Sequence, residues 1–168
     1  MSSESLAGLH QAMNTLDQLK TSITKQAARL AFELTNASEL VKDQKQKQIL
    51  DVLGKSIAEA YERFWDAYSY AGTVTKILDY YVEHPEERET LEKQGLKLDK
   101  QKIKDMIIDF SVQIDEAASE IDLYIDTYKN MLGGESVKEI DNYTMTLRRF
   151  RGALLMFGGE VNKILLGL

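Results

Sequence analysis

Apolar residues recur at intervals of three and four along most of this chain, and the clearest run of them lies between residues 50 and 81. This spacing places side chains on one face of an α-helix. The run consists of Leu50, Leu53, Ile57, Ala60, Phe64, Ala67, Ala71, Val74, Leu78 and Tyr81. An apolar face of this length predicts a long amphipathic helix that packs against other helices.

Three other runs have nearly the same regularity and predict three more helices of this kind. The first consists of Leu6, Leu9, Met13, Leu16, Ile23, Ala27, Leu30 and Leu34; the third of Ile103, Ile107, Phe110, Ile114, Ala117, Ile121, Tyr124, Tyr128 and Met131; and the fourth of Ile140, Tyr143, Leu147, Phe150, Leu154, Phe157, Val161, Ile164 and Leu168. Lys20 is the one polar residue on the first face, and a polar residue there often fixes helix register or the number of partners.

The boundaries of the predicted helices follow from residues that commonly begin or end helices. The helices cover approximately residues 4–35, 38–84, 99–132 and 135–167, and a short helical segment covers 85–93. Pro85, the only proline, suits the first turn of the short segment. Asp99 suits the N-cap of the third long helix, and Gly133 with Gly134 suits its C-terminal end.

The sequence defines the boundary between the first two helices least well. Thr35, Asn36 and Ser38 are of the residue types that cap helices, so the second helix is expected to begin at Ser38 or at Gln46. After the short segment, a break in the helix is expected at residues 94–96, where a glycine follows the last charged turn.

The predicted fold is an all-α, antiparallel up-and-down four-helix bundle with heptad-patterned helices. Helices of about 30 residues are roughly 45 Å long, and short connections favour antiparallel neighbours. The apolar faces are wider than the narrow stripe of a two-stranded coiled coil, which suits four helices better than two.

Composition places the chain among globular proteins and excludes some partners. Its 168 residues, 43% of them hydrophobic and 29% charged, suit one domain covering 1–168. A net charge of −6 argues against broad nucleic-acid binding, which rests on excess Lys and Arg. The absence of cysteine fits a reducing compartment. Because no apolar stretch is long enough to span a membrane and Met1–Leu19 lacks the features of a secretory signal, a cytoplasmic location is expected.

The residues that most often carry chemistry do not form recognised motifs. His10 and His84 lie far apart, and neither stands in a Glu-x-x-His or His-x-x-x-His pattern, so no metal or cofactor is expected. No glycine-rich phosphate loop or nucleophile elbow is present in the sequence. We therefore expect a non-enzymatic protein without catalytic residues.

Two of the predicted helices carry clusters of charges of one sign. The third long helix carries Asp105, Asp109, Asp115, Glu116, Glu120, Asp122 and Asp126. A solvated helix face is the simplest explanation of these acids, and a docking surface for a basic partner is the alternative. The fourth helix carries Arg148, Arg149 and Arg151, which we expect to pair with the acids rather than to bind phosphate or nucleic acid.

The outward side of the fourth helix carries the most unusual pattern in the sequence. Once the run from 140 to 168 is assigned to the core, a second set of residues lies on the opposite side. We call this set the outer stripe: Met145, Gly152, Gly159 and Leu166, spaced seven residues apart, with Leu155 and Met156 beside them. An exposed helix normally carries Lys, Glu or Gln at such positions, and glycine within a helix costs roughly 1 kcal/mol relative to alanine.

Three explanations of the outer stripe are open from the sequence. The fourth helix is the most central element of the fold, or it forms an interface with another subunit, or it meets a membrane or an apolar ligand. The last explanation draws on the low charge of residues 152–168, which resemble surface-active peptides in their Gly and Leu content but lack a strongly basic face.

Trp65 is a second feature, besides the outer stripe, that an apolar core does not explain. It follows Phe64, which belongs to the core face, and so falls on the outward side of the second helix. An outward tryptophan serves as an interface anchor or packs beneath another segment, here the residues from Pro85 to Leu98.

These patterns predict a helical protein that acts by protein–protein interaction and associates with itself as a homo-oligomer, in the manner of a scaffold, adaptor, chaperone or inhibitor. Its predicted interaction residues are those of the outer stripe together with Trp65. The alternative is a helical bundle that uses its C-terminal helix to contact a membrane or to bind an apolar ligand.

Overall fold

The computed structural model describes residues 3–95 and 98–168, with side chains from Leu6 onward. Within these ranges the chain forms five α-helices and no strand. The helices are α1 (Ser3–Leu40), α2 (Gln44–Glu83), α3 (Arg88–Lys93), α4 (Lys100–Tyr128) and α5 (Gly134–Gly167), with 3₁₀ turns at Pro85–Glu87 and Lys129–Met131. The predicted all-α class is confirmed.

The connection between α1 and α2 differs from the prediction. Helix α1 continues to Leu40, beyond the predicted end at residue 35, and α2 begins at Gln44. Ser38 does not begin a helix but lies within α1, and its hydroxyl donates to the Asp51 carboxylate of α2 at 2.9 Å. The N-cap of α2 is Asp43, whose side chain accepts a hydrogen bond from the backbone N–H of Lys45 at 2.9 Å.

The N-terminus of α4 confirms the prediction, whereas its C-terminus does not. Asp99 caps the helix by accepting a hydrogen bond from the N–H of Lys102 at 2.9 Å. Helix α4 ends at Tyr128, before the two glycines predicted to end it. Gly133 instead precedes α5 with an extended backbone, at φ −66° and ψ 145°, and Gly134 is the first residue of α5.

The short segment after Pro85 is confirmed as a 3₁₀ turn followed by α3. It is tied to the end of α2 by Arg88, whose Nε donates to the carbonyl of Tyr81 at 2.6 Å. Helix α3 ends at Lys93, and the predicted break follows it. Within this break Gly95 has a φ of +82°, which suits a residue without a side chain. Leu96, in the predicted break, lies outside the described residues.

The four long helices contact one another in a closed ring. Helix α1 packs against α2 and α5, and α4 packs against the same two helices. Helices α1 and α2 run antiparallel, because His10 meets Asp79 at 2.6 Å near one end and Ser38 meets Asp51 near the other. This ring of contacts is compatible with the predicted bundle.

The core contains most of the residues that the helical spacing predicts, although Met13, Phe110 and Leu168 are only partly buried. Every residue of the run from 50 to 81 is buried, and the rings of Phe64 and Phe150 meet edge to face with centroids 4.8 Å apart. Tyr143 is fully buried, and its hydroxyl donates to the carbonyl of Ile57 at 3.1 Å. Burial raises the pKa of Tyr143, since the phenolate would lose its hydration.

The core face of α4 departs from the prediction in its last turns. Tyr124 and Tyr128 are only half-buried, and Met131 is exposed. Ile125 is buried in their place. A straight helix rotates by about 20° per seven residues relative to a strict heptad, so a run assigned by spacing alone drifts off the core near its end.

Candidate interaction surface

The outer stripe of α5 is exposed. Met145, Leu155, Met156 and Leu166 retain 51%, 42%, 75% and 78% of their accessible surface. Added Cβ atoms at Gly152 and Gly159 would meet nothing within 4 Å. The described part of the chain leaves this surface uncovered, so the interpretation of α5 as the most central element of the fold is wrong.

The two stripe glycines differ from their neighbour Gly158 in what surrounds them. A Cβ at Gly158 would lie 3.0 Å from Cγ2 of Ile107, so this glycine permits the close approach of α4. No such contact explains Gly152 or Gly159 among the described residues. Each of these two costs the helix roughly 1 kcal/mol relative to alanine without an internal benefit.

A groove of about 290 Å³ lies beside the outer stripe, between α5 and α1. Its lining consists of Gly8, Gln11, Ala12, Thr15, Ala153, Met156 and Glu160. The Glu160 carboxylate lies over the backbone of α1 at Gly8, where a Cβ would come within 2.6 Å of Oε2. Glu160 also pairs with Lys163 at 3.1 Å. The groove therefore has a mixed lining, in which Gln11, Thr15 and Glu160 supply polar groups beside Ala12, Ala153 and Met156.

Helix α4 extends the apolar surface on the other side of the stripe. Gly158 faces Ile107, and Arg148 reaches Asp115, so residues 148–158 of α5 lie along residues 107–115 of α4. Two aliphatic residues in this span, Ile108 and Val112, are exposed. Neither residue was predicted for this surface from the sequence, although each breaks the polar pattern that an outward helix face normally shows.

The arginine cluster of α5 divides into three environments. Arg148 pairs with Asp122 at 2.6 Å and approaches Asp115 at 3.9 Å, which confirms pairing with α4 for this residue. Arg151 is half-buried, and its Nε lacks a hydrogen-bond partner. Arg149 is exposed and makes no ion pair with any described residue. Arg149 is therefore the free cation beside the outer stripe.

Trp65 lies on α2 and remains 44% exposed. Its ring stacks on Tyr61 and tilts against Tyr68, with centroids 6.3 Å and 5.6 Å away, and both of these rings belong to the same helix. The segment after Pro85 is anchored at Tyr81, roughly 24 Å along α2 from Trp65. The interpretation that this segment covers the tryptophan is therefore wrong for its described residues.

The structure does not bring Trp65 and the outer stripe together. Phe64 and Phe150 meet inside the core, so α2 and α5 face each other with their buried sides. Trp65 is adjacent to Phe64 on the outward side of α2, and the stripe is on the outward side of α5. The predicted set of interaction residues therefore divides between two separate surfaces.

A cluster of charges joins the beginning of α5 to α1. Arg29 pairs with Glu139 at 2.8 Å and with Glu33 at 3.0 Å. The two carboxyl groups interact with each other, which raises the pKa of Glu139 and lowers the pKa of Glu33. These ion pairs connect α1 and α5 at the end of the molecule that is remote from Glu160.

The two histidines lie at the surface in different settings. His10 is bound to Asp79, as described above, and His84 follows the last residue of α2. His84, Glu86 and Glu87 bring three potential metal-ligand atoms within 4.8 Å of one another. These are neighbouring surface residues in one turn, an arrangement that exposed acidic groups often adopt without binding an ion.

Comparison with other proteins identifies no relative of this chain, so its function has to be inferred from its own surface. The sequence matches no family model and no curated protein. Among the described helices, none has both the length and the apolar character needed to cross a membrane.

Proposed function

We propose that this protein is a non-enzymatic, antiparallel up-and-down four-helix bundle that acts by protein–protein interaction and associates with itself through the outer stripe of α5. The ring of contacts among α1, α2, α4 and α5 supports the bundle. One observation carries the interaction: the stripe is apolar, and no described residue covers it or contacts the Cβ positions of Gly152 and Gly159. The absence of cysteine supports a cytoplasmic site of action.

The driving force for association is the burial of this apolar surface. Each square ångström of apolar surface removed from water contributes about 25 cal/mol, and the ordering of two chains opposes this gain. Glycines at the contact contribute in another way, because they allow two helix backbones to approach closely enough for their neighbours to interlock.

Sedimentation of the purified protein over a range of concentrations tests the proposal. We expect the wild type to form an oligomer, and Gly152→Arg and Leu155→Glu to shift it toward the monomer, because each places a charge in the contact. Gly54→Arg on α2 is the matched control, since Gly54 also has nothing within 4 Å of its Cβ position. Circular dichroism confirms that each variant remains helical.

A wild type that sediments as a monomer at every concentration would contradict self-association. Equal association of the wild type and both α5 variants would contradict the outer stripe as the contact. Flotation with neutral and with anionic vesicles separates the lipid alternative: binding that Leu155→Glu abolishes, in a protein that remains monomeric, would replace protein–protein interaction with lipid contact.

A further inference from the structure

We draw no further inference here: the strongest candidate, the mostly apolar groove of about 350 Å³ between α1 and α2 whose lining includes Tyr61, the ring on which Trp65 stacks, is an open face, and nothing in the described part of the chain shows what covers it.

Discussion

Helix α2 and helix α5 each bury an unbroken apolar face, and they meet where Phe64 packs against Phe150. Their outer faces differ. The exposed Trp65 of α2 has the rings of Tyr61 and Tyr68 beside it, both from the same helix. The exposed residues of α5 form a stripe with glycines among them and with no described residue over it.

This difference separates the requirements of folding from those of binding. A core face needs apolar residues of fitting volume at helical spacing, and both helices provide them. An outer face needs only solubility, so a stripe of methionine, leucine and glycine costs helix stability and solubility without helping the fold. The outer face of α5 is therefore the surface on which we propose that a second chain binds.

The largest expected effect is on the shared interior of the two helices. Phe64→Ala and Phe150→Ala are each expected to lower the free energy of unfolding by about 3–5 kcal/mol, because each leaves a cavity in a packed core. Urea unfolding followed by circular dichroism measures the loss. Leu123→Ala, at a residue 67% exposed, is the control and should change stability by about 0.5 kcal/mol or less.

Because the two rings are in contact, the double variant should lose less than the sum of the two single losses. Full additivity, or a loss below about 1 kcal/mol in either single variant, would contradict the observed packing of α2 against α5.

A smaller effect compares one glycine from each outer face. Gly54→Ala in α2 and Gly152→Ala in α5 are each expected to raise the free energy of unfolding of the monomer by about 0.5–1 kcal/mol, since alanine favours the helix and both sites are open. Urea unfolding at low concentration measures this gain. Sedimentation at high concentration should show weaker association for Gly152→Ala alone.

If Gly54→Ala and Gly152→Ala associate equally strongly, the outer face of α5 does not differ from that of α2 in its contribution to self-association. Destabilisation of the monomer by Gly152→Ala would show that this glycine makes a close contact inside its own chain, which the open space around it argues against.

A third expected effect is on the pH dependence of stability. Burial, together with a hydrogen bond from its hydroxyl to Asp17, raises the pKa of Tyr68 to about 12 from an ordinary value of 10.0. Above pH 10 the unfolded chain loses this proton first, so stability falls as pH rises from 10 toward 12. Tyr68→Phe should reduce this fall, as measured by urea unfolding at pH 9 and pH 11.

Tyr143 in α5 provides the matching comparison, since burial raises its pKa in the same direction. Tyr143→Phe should also flatten the alkaline decline. Unchanged slopes in both variants would mean that neither phenol is protected in the folded protein.

Spacing predicted the core faces well because burial follows the geometry of a helix. Every residue predicted for the core face of α2 is buried, and Asp99 caps α4 as predicted. Boundaries were less predictable. Serine often caps helices, but the Ser38 hydroxyl donates a hydrogen bond to Asp51 instead. Asp51 is thirteen residues away in sequence, and only the folded chain brings the two residues close.

The candidate surface was predictable only in part. The outer stripe was predictable because its apolar residues and glycines remain on the outward side of α5 once the core residues of that helix are assigned. Ile108 and Val112 could not be assigned to the same surface, because the register of α4 against α5 depends on contacts such as that of Gly158 with Ile107. The separation of Trp65 from the stripe likewise depends on how helices are placed, not on their sequences.

Helical spacing alone predicted that the chain is all-α and, apart from the last turns of α4, which face of each long helix is buried, because helical periodicity and side-chain polarity are local properties. The tertiary structure decided which helices are neighbours, whether Gly152 and Gly159 are covered, and which residues join them on one surface. Those properties depend on the packing of side chains far apart in sequence, where one contact fixes the position of a whole helix.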